Sequence, residues 1–209
     1  MNIIIVLILF FIIPTSILSQ EIKSDEEYYK EGVQYYDGGE FKKSFIVFFN
    51  LSEKGNKDAI YNLSNMYFQG IGTTQNFTKS LEYSWLCALN GNKKCIKKLD
   101  KVKKKLDERE IILISEKIPK LLESEYKNDN NIISAFKLGY WYEKFSPEID
   151  LEKSYLWYSV SVSAGVYKAM KLRDRVGDLI DIEKIKDLQN QAQEIFNKDI
   201  YFGNKKNDL

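Results

Sequence analysis

The sequence predicts an all-α fold, a solenoid of antiparallel helix pairs, and three observations lead there. The dipeptide Lys-Ser occurs at Lys43-Ser44, Lys79-Ser80 and Lys153-Ser154. A glycine follows each lysine at one fixed interval, at Gly55, Gly91 and Gly165, and a small residue follows each glycine at another, at Ala59, Cys95 and Ala169. The first two copies are offset by 36 residues and the third lies 74 further on, close to two such periods. Self-similarity at this period marks stacked supersecondary units, because one unit cannot bury its apolar face alone.

The elements follow in order. Phe41, Phe77 and Leu151 each precede a Lys-Ser lysine by two positions, and Asn76 and Asp150 stand before two of them. Asn and Asp cap helices well, since their side-chain oxygens accept free amides of the first turn. Phe77, Leu81, Trp85 and Ala88 then recur at helical spacing, as do Leu151, Tyr155, Tyr158 and Val162. The recurring glycine ends each helix, because glycine enters the left-handed conformation without a Cβ penalty. A preceding helix carries Ala59, Leu63 and Tyr67 and closes in a Gly70/Gly72 turn; Leu138, Gly139 and Tyr142 restate it. Clear units therefore cover 25–56, 57–92 and 132–165. Divergent helix pairs are expected over 93–127, with a D-x-x-E capping box at Asp107–Glu110, and over 166–197. The KNDNN run at 127–131 reads as a joint, and 198–209 as a polar tail.

Composition narrows the function classes. The 209 residues carry 31 basic and 30 acidic side chains, a net charge of +1, which argues against a nucleic-acid partner. Histidine is absent, which removes the commonest general base and most zinc and haem ligation, so neither metal nor cofactor is expected. The N-terminus reads MNIIIVLILFFIIPTSILSQ, with an unbroken apolar run from Ile3 to Ile13. That run is too short to span about 30 Å of hydrocarbon and has the length of a secretory signal core. Residues 1–19 thus read as a signal peptide cleaved after Ser19, with an uncleaved N-terminal anchor as the alternative because no Lys or Arg precedes the run. Export bears on the two cysteines, Cys87 and Cys95. In an oxidising compartment a structural staple is favoured over a zinc clip, which needs four ligands, or a redox pair, which uses a closer spacing.

These motifs resemble the Sel-1-like repeat family, relatives of tetratricopeptide repeats. The family pattern A-x3-L-G-x2-Y-x2-G-x-G is met by Ala59, Leu63, Tyr67, Gly70 and Gly72, departing at Ser64. The following K-A-x2-W-Y segment is met by Lys79 with Ser80 for Ala and Tyr83 for Trp, and by Lys153, Ser154, Trp157 and Tyr158. In the last clear copy FSPE replaces the G-x-G turn. The resemblance covers about residues 25–197 and implies a right-handed solenoid serving as an interaction scaffold. A cysteine-rich secreted branch of that family joins cysteines at this separation, which implies a Cys87–Cys95 disulfide. It also assigns Tyr67, Tyr142, Trp157 and Tyr158 to the core.

Two groups of residues are candidate binding features. In KKCIKKLDKVKKKLD, helical projection gathers Lys94, Lys97, Lys98, Lys101, Lys104 and Lys105 into one stripe, opposite Cys95, Leu99, Val102 and Leu106. Such a stripe is either an ordinary solvated face or a surface for an anionic partner. Tyr61, Tyr140 and Trp141 are the aromatics left over for a concave binding face, with core or partial burial the favoured reading for Trp141. The S-x-x-K matches at Ser124–Lys127 and Ser134–Lys137 lack the S-D-N and K-T-G partners of serine β-lactamases. Sequons at Asn50, Asn62 and Asn76 matter only in a eukaryotic secretory pathway, and the terminal KNDL matches an ER-retention signal poorly.

The expected function is a non-enzymatic, exported adaptor, periplasmic or extracellular, that binds another protein or a cell-envelope polymer. Two alternatives belong to other classes: a cell-wall-directed hydrolase or β-lactam-binding protein, and a membrane-tethered regulator if the N-terminal segment stays uncut. An ER-lumenal location is the alternative compartment.

Overall fold

The computed structural model describes residues 23–203, so the apolar N-terminal run and the cleavage point after Ser19 lie outside the described residues. Every regular element among those residues is a helix. The chain runs through α1 (Asp25–Asp37), α2 (Phe41–Glu53), α3 (Lys57–Gln69), α4 (Phe77–Leu89), α5 (Lys93–Lys103), α6 (Glu108–Ser115) and α7 (Lys117–Asn128). It continues through α8 (Ile132–Tyr140), a π-helical turn (Trp141–Phe145), α9 (Leu151–Ser163), a 3-10 turn (Tyr167–Ala169), α10 (Met170–Gly177) and α11 (Ile182–Gly203). Neighbours in sequence are mostly neighbours in space: each helix from α1 to α4 packs on the next, α7 on α8, and α8 on α9, which also holds α10 and α11. This is an all-α stack of adjacent helix pairs.

Local chemistry accounts for the boundaries. Asn76 accepts the Lys79 amide at 2.8 Å and Asp150 that of Lys153 at 2.9 Å, each capping a second helix. Asp107 and Glu110 form the reciprocal capping box that starts α6. A second box, Ser24 with Glu27, starts α1. The repeat glycines Gly55, Gly91 and Gly165 have φ of 78°, 82° and 94°, the left-handed geometry that stops a helix and turns the chain. Gly72 answers a different need. A Cβ there would sit 2.3 Å from the Phe41 carbonyl oxygen, so the turn after α3 can lie against the start of α2 only if the residue is glycine.

The Lys-Ser serines explain their own recurrence. Ser44, Ser80 and Ser154 are fully buried, and each hydroxyl donates to a backbone carbonyl of the preceding helix. The acceptors are Gly32 at 2.8 Å, Ser64 at 2.9 Å and Gly139 at 2.9 Å. One buried hydrogen bond thus ties the two helices of each hairpin at the same place. A buried hydroxyl left without a partner costs about 1–3 kcal/mol, which fixes the pairing geometry.

Two expectations need correcting, over 93–127 and at the Lys198 boundary, and the FSPE segment takes a form of its own. The stretch 93–127 is three helices, not a pair: α5 packs chiefly on α4, while α6 and α7 meet end to end and α7 continues onto α8. The break falls at Glu116, since Pro119 has no N–H to bond the Ser115 carbonyl and is tolerated only in a helix's first turn. The FSPE segment forms no glycine turn. Instead α8 widens into the π-helical turn, closed by the Ser146 amide on the Trp141 carbonyl at 2.9 Å, and Pro147 holds Ser146 extended. Finally, α11 runs to Gly203, past the tail boundary expected at Lys198, because no helix breaker intervenes before that glycine.

Candidate binding face

The first helices of the first three hairpin-like units, α1, α3 and α5, lie side by side and expose a continuous row of side chains. Between α1 and α3 is a groove of about 430 Å³, lined by Tyr29, Val33, Tyr36, Tyr61, Asn62, Asn65 and Gln69 over a floor of Phe48 and Met66. The Asn62 amide donates to the Tyr29 hydroxyl at 3.1 Å, linking the two walls. Between α3 and α5 the lysines take over. Lys94 and Lys98 carry their ammonium groups 5.8 and 6.0 Å from the centre of the Tyr61 ring. Lys98 and Lys101 stand 5.6 and 5.0 Å from that of Phe68. Lys98 Nζ donates to Asn65 Oδ1 at 2.7 Å.

Lys98 is half-buried, and burial pushes its amine down to about 7, with the neighbouring Lys101 charge adding to the shift. Among the described residues the salt bridges take up other lysines, and none involves Lys94, Lys97, Lys98, Lys101, Lys104 or Lys105. The aromatic rings offer these cations their negative faces in place of carboxylates. Lys97, Lys104 and Lys105 are exposed and make no ring contact. The stripe seen in projection therefore divides: Lys94, Lys98 and Lys101 face α3, and the rest face solvent.

The three aromatics singled out in the sequence also separate. Tyr61 lines the face described above. Trp141 is 1% exposed and meets Trp85 edge to face at 5.1 Å, so it is core and not a concave-face residue. The π-helical turn starts at Trp141 and turns it inward. Tyr140 is half-buried, stacked on Phe136 and edge-on to Phe145, away from the α1–α3 groove. Sequence reasoning missed Tyr29, Tyr36, Asn62, Asn65 and Phe68. The signal was present: Gly32 and Ser64 accept the same serine bond, and aligning them pairs Tyr29 with Tyr61 and Tyr36 with Phe68.

Cys87 and Cys95 come to disulfide distance, with Cα atoms 5.8 Å apart, across the Gly91 turn between α4 and α5. The pair ties the end of α4 to the first turn of the lysine-bearing helix. Elsewhere, buried Glu143 accepts from the Tyr158 hydroxyl at 2.9 Å, from Arg175 at 2.5 Å and from Lys144 at 2.7 Å. Burial and the adjacent carboxylate raise the Tyr158 phenol well above its ordinary value. That cluster is internally satisfied and ties α10 to α9 through the π-helical turn.

Neither S-x-x-K match forms a catalytic contact. The Ser134 hydroxyl donates to Glu125, and Ser124 accepts from Asn128 at 3.0 Å. Among the described residues no group of three or more Cys, Asp or Glu is placed to hold a metal ion, and no helix is long and apolar enough to cross a membrane.

No family model matches the chain, and no curated protein does. Among solved structures, the chain is similar to a protective antigen present in uropathogenic Escherichia coli strains, described as displaying an SLR fold. The likeness has a TM-score of 0.38 and 15% identity, and covers 85% of this chain and 46% of the other. The chain thus spans about half the length of that protein.

Proposed function

We propose that this chain is an exported Sel-1-like repeat scaffold that works by binding another protein through the face formed by α1, α3 and α5. The observation that carries this reading is the row of Lys94, Lys98 and Lys101 held on Tyr61 and Phe68 with no carboxylate partner. Exposed cations are ordinarily solvated or paired on their own helix, as Lys30 is with Glu26 and Lys127 with Glu123. Here they are gathered beside an open aromatic groove instead. Tyrosine, which lines the groove at Tyr29, Tyr36 and Tyr61, is among the residues enriched at interaction hot spots. The Ser124 and Ser134 hydroxyls engage Asn128 and Glu125, which favours the scaffold reading over a serine hydrolase.

Site-directed photo-crosslinking in the native host tests the face. A photoreactive residue at Tyr61 is expected to give a discrete protein adduct that the same group at exposed Lys171 on α10 does not. No adduct at Tyr61, or equal adducts at both positions, overturns the assignment. Export is tested separately by N-terminal sequencing of the native protein. A start at Gln20 is expected, and a start at Met1 or Asn2 makes the protein a membrane-tethered regulator.

A further inference from the structure

We propose that the partner segment is an extended acidic polypeptide, whose carboxylates dock on Lys94, Lys98 and Lys101 while an apolar side chain enters the groove between Tyr36 and Tyr61. This deepens the proposed function and rests on it. Three ammonium groups crowd onto two rings, and no acidic side chain of the described residues pairs with them within salt-bridge distance. Like charges this close repel, so the free face is electrostatically frustrated, and a ligand carrying carboxylates relieves that frustration.

The geometry sets the ligand's form. Packed helices lie about 10 Å apart, so crossing from α1 to α5 takes about 20 Å. An extended strand of about six residues covers that distance. The groove at the α1–α3 end is lined by Tyr29, Val33, Tyr36 and Tyr61, which suits an apolar or aromatic side chain. Asn62 and Asn65 stand between the two ends; Asn62 donates one amide hydrogen to Tyr29 and Asn65 accepts from Lys98, which leaves each side-chain amide further hydrogen-bonding capacity for a ligand backbone. A lipid surface is flat and cannot fill a groove between helices, so the observations favour a polypeptide.

Lys98 adds a signature that plain charge attraction lacks. Its amine titrates at about 7 in the free protein. The titratable and charged groups facing it are Lys94 and Lys101 on its own helix and Tyr61 on α3; Asn65 and Phe68 complete its surroundings. A carboxylate placed there stabilises the ammonium form and raises the value, so binding takes up a proton near neutral pH. The sign is fixed. The contribution of Lys98 to binding is fully present below the free value of about 7 and is lost as pH rises from there through the higher, bound value.

The test uses the exported chain lacking its first 19 residues and a dye-labelled peptide of about ten residues, glutamates with one central Phe, long enough to cross the face. Anisotropy titrations compare it with the same peptide carrying Gln for Glu, and with vesicles of phosphatidylserine. Expected is binding of the acidic peptide, at least about tenfold weaker for the Gln peptide and for the variant Lys94→Gln/Lys98→Gln/Lys101→Gln. The variant Lys97→Gln/Lys104→Gln/Lys105→Gln loses the same charge from the solvent side of the stripe and should retain the affinity. Calorimetry in buffers of different ionisation enthalpy should show proton uptake that Lys98→Gln abolishes. Equal loss in both triple variants, binding by the vesicles alone, or no proton uptake overturns the proposal. If the Tyr61 crosslink persists while the acidic peptide fails to bind, the acidic assignment falls and the scaffold reading stands.

Discussion

The α8–α9 and α3–α4 hairpins use the same serine bond but fill the space beside it in opposite ways. In α8–α9 the carbonyl belongs to Gly139, and Tyr158, one turn beyond Ser154, lies flat on it; a Cβ on Gly139 would fall 2.4 Å from the ring. The first hairpin follows that plan, with Gly32 beneath Phe48. In α3–α4 the corresponding positions are Ser64 and Ser84, whose hydroxyls hydrogen-bond at 2.6 Å while Ser64 also reaches the Ser80 carbonyl at 3.0 Å. One plan pairs no side chain with a large ring, and the other pairs two small polar ones. What is held constant is the satisfied carbonyl, at Gly32, Ser64 and Gly139. The departure at Ser64 from the glycine of the family pattern is therefore half of a compensated pair.

Substitutions at Gly139, Ser84 and Gly91 probe this comparison, with Lys97 as the baseline. The largest effect is expected from Gly139→Val, which drives a branched side chain into Tyr158 and should cost about 3 kcal/mol or abolish folding. Its thermal unfolding should fall well below that of every other variant. Ser84→Tyr alone should cost about 2 kcal/mol by overpacking against Ser64, and Ser64→Gly added to it should recover most of that loss. Absence of recovery in chemical denaturation would show that the two plans are not interchangeable. Gly91→Val is smaller, at least about 1 kcal/mol, because nothing crowds a Cβ there and only the left-handed backbone resists. Ser84→Ala removes one bond from a hydroxyl that keeps another, for about 1 kcal/mol. Lys97→Gln, on the solvent side of α5, should stay within about 0.5 kcal/mol and serves as the baseline.

The hairpins and their ends were legible because they rest on local chemistry. Asn76, Asp150 and Asp107 as caps, and Gly55, Gly91 and Gly165 as stops, need only their immediate neighbours to act. The separation of α6 from α7 was hidden, since Pro119 reads equally as a first-turn proline or as a kink until the packing of α7 on α8 decides. Core burial was the favoured reading of Trp141, but the way it is reached was hidden: the π-helical turn shifts the register by one residue, and no dipeptide announces it. The binding face was half legible. A lysine stripe is visible in any helical projection, but which lysines meet Tyr61 and Phe68 depends on how α5 leans on α3.

The position of Cys87 and Cys95 carries its own test. Thiol titration of unreduced, denatured protein is expected to find no free thiol, because both residues are fully buried and held at disulfide distance. A bridge there closes a short loop and contributes roughly 2–3 kcal/mol by restricting the unfolded chain.

The serine bonds at Gly32, Ser64 and Gly139 have a consequence for how the molecule breathes. In a stack of units, each contacting only its neighbours, opening propagates from the ends and each hairpin yields as a block. The rivet between its helices sits near the middle of α1 and of α3, and in the α8–α9 hairpin where α8 passes into the π-helical turn, so a fraying turn must pass it before the hairpin can separate. Amide exchange with heavy water should accordingly be slowest at the amides around Gly32, Ser64 and Gly139, and quicken toward the loops. Three islands of protection, spaced by the repeat and not by the chain's overall length, would be the rhythm of this protein's slow motions.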